Sequence, residues 1–433
     1  MAKNSIIIKF KKLEDIYSKI LSDELLKQFT YKPIVTDEML FTNRSINKVN
    51  YDSLIGICYV QQLEGMSLEE KQHLANEMSN CHFVEYAYVE MATLPIVSEL
   101  KSQKDDASLL EVEHTPYFFS TQGYKDGLTE FHKGIDMEYA YSIGIYGQGV
   151  TCAVIDGGFN FRHINLRKES FINFDKTDVN HEHGTACAAI LYGKNAGFGI
   201  RGLVYGADKC YAVSNAEESV NALIKVLPYL HEGDVVSLSW GSDKYPMDHD
   251  LAFWEVAKQA TAAGIIICIS AGNSSVNMDT AEELEEYRNR PDNGVIRVGA
   301  GDRFSLERKV FSNYGKLIHI QAWGEGVTTA GGKDFYDYIA PVPLRQQEDC
   351  KYTFNFYGTS AATPIVASAA VAIQSWYKQQ TGKVLSPIEM RDLLIATGIP
   401  QKNPARGHVG PMPNIKNAID QLSQRMRDEI APQ

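Results

Sequence analysis

The sequence predicts an α/β fold: a parallel sheet with helices on both faces, preceded by a small α+β unit. Three observations carry that reading. From about Gly134 onward, apolar strand-like runs alternate with helical ones, the pattern of strands buried on both faces of a parallel sheet. The first hundred residues or so instead read as strand, helix, strand. Between the two, Lys101-Ser-Gln-Lys-Asp-Asp-Ala-Ser108 is polar and reads as a linker. The expected organisation is a front unit at 1–95, a linker and lead-in at 96–133, and a large domain at 134–425.

In the front unit, Asp52-Ser-Leu-Ile-Gly-Ile-Cys-Tyr-Val60 is strand-like. Ser67-Leu-Glu-Glu70 has the spacing of a capping box and opens a helix to about Met78. Cys81 to Glu90 alternates apolar and polar residues in part, as a half-buried strand does. In the large domain, Gly149–Ile155, Lys209–Val213 and Asp234–Ser239 are strand-like, and Ile265–Ser270 is an almost wholly apolar strand. Helices follow His183, span Leu251 to Ala263 up to Gly264, and follow Ser360 in the small-residue run Ala361–Val371.

The 433 residues are 44% hydrophobic and 22% charged, enough to bury a large core. A formal charge of −12 argues against duplex DNA or an anionic membrane as partner, since both need a basic surface. The start holds only three consecutive apolar residues, Ile6–Ile8, whereas a secretory signal has about 7–15. Seven scattered cysteines without a CxxC pair read as free thiols and not as a zinc site. A cytoplasmic location is expected, with unconventional export left open.

Chemistry in such folds collects at the carboxyl ends of strands and the amino ends of helices. Asp156 follows a strand, His183 begins a helix, Asn273 lies just past the apolar strand, and Ser360 precedes the small-residue helix. Each has an ordinary explanation alone: a turn aspartate, a structural histidine, a tight-turn asparagine, a capping serine. Together they supply what peptide hydrolysis demands. A serine hydroxyl needs an imidazole to take its proton, a carboxylate must orient that imidazole, and the developing oxyanion needs donors. Asp before His before Ser is one of the chain orders in which such triads occur.

The four stretches resemble the subtilisin-like serine protease family. Val154-Ile-Asp-Gly-Gly158, followed by His163-Ile-Asn-Leu166, is similar to its aspartate motif, and His181-Glu-His-Gly-Thr-Ala186 to its histidine motif. Gly358-Thr-Ser-Ala-Ala-Thr-Pro364 is similar to its serine motif, with Pro364 expected in the first helical turn. Asp392–Thr397 and Gly410–Ala418 resemble its closing helices, so the likeness spans roughly 130–422. Thr115–Tyr124, leading to Gly134-Ile-Asp136, resembles a lead-in of some bacterial members.

The resemblance implies a subtilisin-like sheet and a serine endopeptidase acting on protein or peptide substrates. Ser360 would be the nucleophile, His183 the general base and then acid, Asp156 its orienting carboxylate, and Asn273 the oxyanion donor beside the Ser360 N–H. It also implies that Ser237, Leu238, Ser239, Trp240 and Gly241 form an edge to which a peptide adds as a strand, with Ser270, Ala271 and Gly272 also lining the substrate. The front unit would be a prodomain that inhibits the enzyme intramolecularly until self-cleavage in the linker region. No cofactor is implied; calcium is frequent in the family, but no site is assignable from carboxylate spacing.

Three departures stand out. The aspartate motif reads Asp-Gly-Gly, lacking the family's frequent hydroxyl residue at Gly157. Cys187 falls one helical turn after His183, resembling the free cysteine of proteinase-K-like members and predicting mercurial sensitivity. Gly331–Lys351 is a polar and aromatic insertion. The alternatives are a peptide-processing or transpeptidating member, or a catalytically silent binding protein of the same fold. An α/β-hydrolase esterase is disfavoured, because Ser360 lacks the Gly-x-Ser-x-Gly elbow.

Overall fold

Three consecutive isoleucines near the chain start, Ile6, Ile7 and Ile8, are all fully buried. They belong to β1 (Ile6–Phe10), the first strand of a four-stranded sheet with β2 (Tyr31–Pro33), β3 (Ile57–Val60) and β4 (Val84–Val89) in the order β2-β3-β1-β4. Successive side chains of a strand point to opposite faces. Ile6 and Ile8 therefore pack with Leu74 and Met78 of α1 (Leu68–Ser79), while Ile7 joins the apolar layer of the large domain. Full burial of each isoleucine stabilises by about 1.5–3 kcal/mol. The capping box at Ser67 and Glu70 is formed, each side chain bonding the other's backbone N–H.

The computed structural model describes residues 4–11, 20, 22–36, 39, 48–90, 115–174, 182–214, 219–242, 244–331, 338–339 and 348–430. The linker Lys101–Ser108, His181 and most of the Gly331–Lys351 insertion lie outside the described residues.

The large domain is built on seven parallel strands: β5 (Thr151–Asp156), β6 (Phe171–Asn173), β7 (Lys209–Ser214), β8 (Val235–Leu238), β9 (Ile266–Ser270), β10 (Ile296–Gly301) and β11 (Ile320–Trp323). Their order is β11-β10-β9-β8-β5-β7-β6. A small antiparallel sheet, β12 (Val327–Ala330), β13 (Tyr338–Ile339) and β14 (Lys351–Phe356), leads to the serine motif. The helices are α2 (Met137–Ser142), α3 (Glu182–Tyr192), α4 (Ser219–Val226), α5 (Leu251–Ala262), α6 (Glu285–Asn289), α7 (Thr359–Thr381), α8 (Pro387–Thr397) and α9 (Ile415–Ile430). One face of the large sheet packs on α3, α7 and α9, the other on α4 and α5. This is the α/β architecture read from the sequence.

The layer under α4 and α5 continues into the front unit through Ile7, Val49, Tyr51, Leu54 and Tyr59. Polar contacts fix the docking. Lys9 Nζ meets Glu255 Oε2 at 2.6 Å, and the Tyr88 hydroxyl donates to Asp250 Oδ1 at 2.7 Å. Asp250 also caps α5 by accepting from the Phe253 N–H.

Two expectations shift. The strand expected over Asp52–Val60 begins only at Ile57, because Tyr51–Leu54 forms a 3-10 turn and Gly56 adopts a φ of +94° beside Phe10. Pro364 sits in the interior of α7 and not in its first turn, for the helix already starts at Thr359. Among the described residues no helix is long and apolar enough to cross a membrane.

Candidate active site

Asp156 closes β5, a central strand flanked by β7 and β8, so its carboxylate is wholly buried. Its Oδ1 accepts from the Gly157 N–H at 2.8 Å. His183 is the second residue of α3, and its Nδ1 lies 2.8 Å from the same Oδ1. The helix approaches this closely because Gly184 has no side chain. A β-carbon there would lie 2.2 Å from the Gly158 carbonyl oxygen and 3.0 Å from Asp156 Cβ. The Thr185 hydroxyl completes the docking by accepting from the Asn160 N–H at 2.8 Å. The glycine and threonine of His-Gly-Thr thus seat the imidazole on its carboxylate.

Ser360 is the second residue of α7, after Gly358 at a φ of +101°. Its hydroxyl donates to the Ser239 carbonyl at 3.0 Å, and the Ser239 hydroxyl donates back to the Ser360 carbonyl at 3.1 Å. Pro364 leaves that carbonyl without a ladder partner from its own helix. A residue with an N–H at that position would claim the Ser360 carbonyl in the helical ladder, whereas proline has none. Cys187 joins the two helices: its Sγ lies 3.6 Å from the Ser360 carbonyl oxygen and 4.0 Å from His183 Nδ1.

Asn273 Oδ1 accepts from the backbone N–H and the hydroxyl of Thr359, at 2.9 and 3.0 Å. That fixes which end of the amide faces inward. Its Nδ2 and the Ser360 backbone nitrogen lie 3.5 and 3.6 Å from one point, the position a β-carbon would take on Gly358. Two donors therefore flank the same space.

The remaining sequence-predicted residues divide. Ser237 and Leu238 are paired on both sides, with β5 and with β9, so neither offers a free sheet edge. Ser239, Trp240 and Gly241 run past the paired register. Ser270 still pairs with Val298, the Ala271 N–H donates to the Val298 carbonyl, and Gly272 turns the chain at a φ of +97°.

Residues 147–420 match the model of the subtilase family (Peptidase_S8). The chain belongs to the subtilase family. A thermostable alkaline protease of Halalkalibacterium halodurans is 26% identical over 362 residues, 77% of this chain and 90% of that protein. Subtilisin E of Bacillus subtilis is 26% identical over 383 residues, 83% and 89% of the two chains. The solved structure of the epidermin leader peptide processing serine protease of Staphylococcus aureus superposes with a TM-score of 0.60 at 15% identity, over 98% of this chain and 99% of that one. This subtilase is a serine endopeptidase, a hydrolase of peptide bonds, and its substrates are proteins or peptides.

The subtilase's departures have structural causes. At Gly157 the indole of Trp240 fills the space a side chain would need. The buried Asp156 Oδ2 has no hydrogen-bond partner among the described residues. The imidazole of His183 makes edge contacts with two rings, Trp240 at 5.8 Å and Phe356 at 5.5 Å. No sequence motif marks Phe356. Burial first, then the nearby Asp156 charge, pushes the Cys187 thiol well above its ordinary pKa and keeps it protonated.

Asp156, His183 and Cys187 also form a cluster with metal-ligand spacing. One carboxylate, an imidazole and a thiol do not suit calcium, which takes six to eight oxygens. Backbone oxygens do converge in the loop after α3, but a side-chain amide already occupies them. Asn165 Nδ2 faces the carbonyls of Lys194, Phe198 and Ile200 at 3.5, 3.2 and 3.0 Å.

Proposed function

We propose that this subtilase cleaves internal peptide bonds through an acyl-enzyme on Ser360, and that it is made as a zymogen. The observation that carries the reading is the buried 2.8 Å contact between His183 Nδ1 and Asp156 Oδ1. With Nδ1–H donated to the carboxylate, the imidazole presents Nε2 as its basic nitrogen. The Ser360 hydroxyl, which now donates to the Ser239 carbonyl, turns about its Cα–Cβ bond to give its proton to Nε2 as it attacks. A carbonyl cannot accept that proton, so this rotation belongs to catalysis. Apo geometry of this kind is ordinary for such sites.

The oxyanion then forms between Asn273 Nδ2 and the Ser360 N–H. His183 returns the proton to the leaving amine, and water repeats the sequence to release the acid. The substrate backbone adds to the segment Trp240–Gly241 on one side and Ala271–Gly272 on the other.

The front unit, 1–95, would act as the intramolecular inhibitor, with processing in 96–133 and the mature enzyme spanning 134–425. Its docking through Lys9, Tyr88 and the apolar layer on α5 supports this. A cytoplasmic location is proposed from the seven free thiols, six of them buried, and cell fractionation tests it. The test of the zymogen reading compares purified wild type with Ser360→Ala by intact-mass spectrometry. Wild type is expected to be shortened between about 90 and 135, allowing several residues for a boundary of this kind, and the variant full length. Equal lengths for the two would refute self-processing.

A further inference from the structure

Asn313 lies in the segment between β10 and β11, away from the four motifs, and is completely buried. Its carboxamide uses all of its hydrogen-bonding capacity. Nδ2 donates to the Ala271 carbonyl at 2.7 Å and to the Lys244 carbonyl at 2.8 Å. Oδ1 accepts from the Val276 N–H at 2.9 Å and from the Ser274 N–H at 3.3 Å. Its own backbone N–H donates to the Gly272 carbonyl at 3.0 Å.

These partners are not scattered. Ala271, Gly272, Ser274 and Val276 bracket Asn273, and Lys244 follows shortly after Trp240 and Gly241 on the opposite wall. The turn carrying Asn273 includes Gly272 at a φ of +97° and Ser275 at +54°. Ser275 is a non-glycine residue in the left-handed region, which persists only where surrounding contacts hold it. Adjacent residues add to the clamp: the Ser275 N–H donates to the Phe311 carbonyl, and the Tyr314 N–H to the Val276 carbonyl. Asn313 supplies the only side chain in this clamp that bonds both sides of the turn and the facing wall, among the described residues.

We propose that Asn313 is the positioning residue of the oxyanion site. It sets where Asn273 Nδ2 stands relative to the Ser360 N–H, with the bond to the Lys244 carbonyl anchoring the carboxamide itself. This rests on the oxyanion role proposed above for Asn273. No other side chain of this size replaces it: aspartate loses both donors, and leucine loses all four bonds.

A double-mutant cycle on kcat, measured per titrated active site, tests the proposal. Titration reads each variant on its folded fraction, so a poorly folding protein still gives an answer. Asn273→Ala alone is expected to lower kcat by about 10²–10³. Asn313→Ala and Asn313→Asp are each expected to lower it at least tenfold. The combination Asn273→Ala/Asn313→Ala should fall within about twofold of Asn273→Ala alone, because placing an amide that is gone has no effect. A purely structural role would lower the melting temperature and titratable yield, with the two losses in kcat multiplying or Asn313 variants keeping normal kcat. Either result overturns the inference while leaving Asn273 its role. If Asn273→Ala keeps full kcat, the oxyanion reading itself falls, and this proposal with it.

Discussion

The indole of Trp240 lies over Gly157 so closely that a β-carbon on the glycine would stand 2.4 Å from its Cη2 atom. The same indole makes an edge contact with the His183 ring, 5.8 Å between centroids. Gly157 is therefore not a weakened version of the aspartate motif. It is the vacancy that lets a large ring reach the histidine.

Gly157→Ser is accordingly expected to destabilise the protein by about 1–3 kcal/mol, the usual result of overpacking. Trp240→Leu in the same chain should recover most of that loss. Urea unfolding of the four proteins in a Ser360→Ala background gives the coupling directly, and additive losses would contradict the contact.

His163 predicts a pH dependence. It is fully buried, donates through Nε2 to the Lys351 carbonyl at 3.0 Å and accepts at Nδ1 from the Asn165 N–H at 3.2 Å. Burial is the main cause that lowers its pKa from 6.5 to about 4. A depressed histidine leaves the unfolded chain binding more protons between those two values, so stability is full above pH 6.5 and falls as pH drops toward 4. The loss from this residue is on the order of 3 kcal/mol. His163→Gln should flatten that part of the stability curve, read by urea unfolding between pH 7 and 4.5.

Cys187 touches both His183 and Ser360 yet is held as a thiol. Cys187→Ala should keep kcat within a few-fold of wild type. A mercurial should inactivate the wild type by displacing the imidazole, and leave Cys187→Ala unaffected. Inhibition of both proteins would place the sensitive thiol elsewhere.

Asn165 fills a ring of carbonyls that would otherwise suit a hard cation. Asn165→Asp removes both N–H donors and sets a carboxylate against three carbonyl oxygens. Without calcium the variant should lose about 1–3 kcal/mol or more, and millimolar calcium should restore it, seen as a calcium-dependent rise in melting temperature larger than in wild type. An equal response in both proteins would contradict this.

The sequence disclosed the site better than its supports, for a physical reason. Asp156, His183, Asn273 and Ser360 each sit in short contiguous stretches whose glycines are needed locally, so the stretches are visible without the fold. Asn313 acts across 69 and 42 positions of chain, and no local pattern marks it. Trp240 and Gly157 meet only because β5 and β8 are neighbours. The first strand is not legible because Ile6, Ile7 and Ile8 are buried on both faces; a strand enclosed in this way shows no alternation. Pro364 suggests a later start for α7 because proline suits a first turn, whereas here it lies inside the helix and leaves the Ser360 carbonyl without a ladder donor.

The central claim is that Ser360 becomes a nucleophile through His183 and Asp156. Labelling of the processed enzyme with a fluorophosphonate probe, followed by peptide mass spectrometry, tests it most directly. One adduct is expected, on Ser360, with a labelling rate reduced by about 10⁴ or more in His183→Ala. An adduct on another residue, or undiminished labelling of Ser360 in His183→Ala, would contradict it.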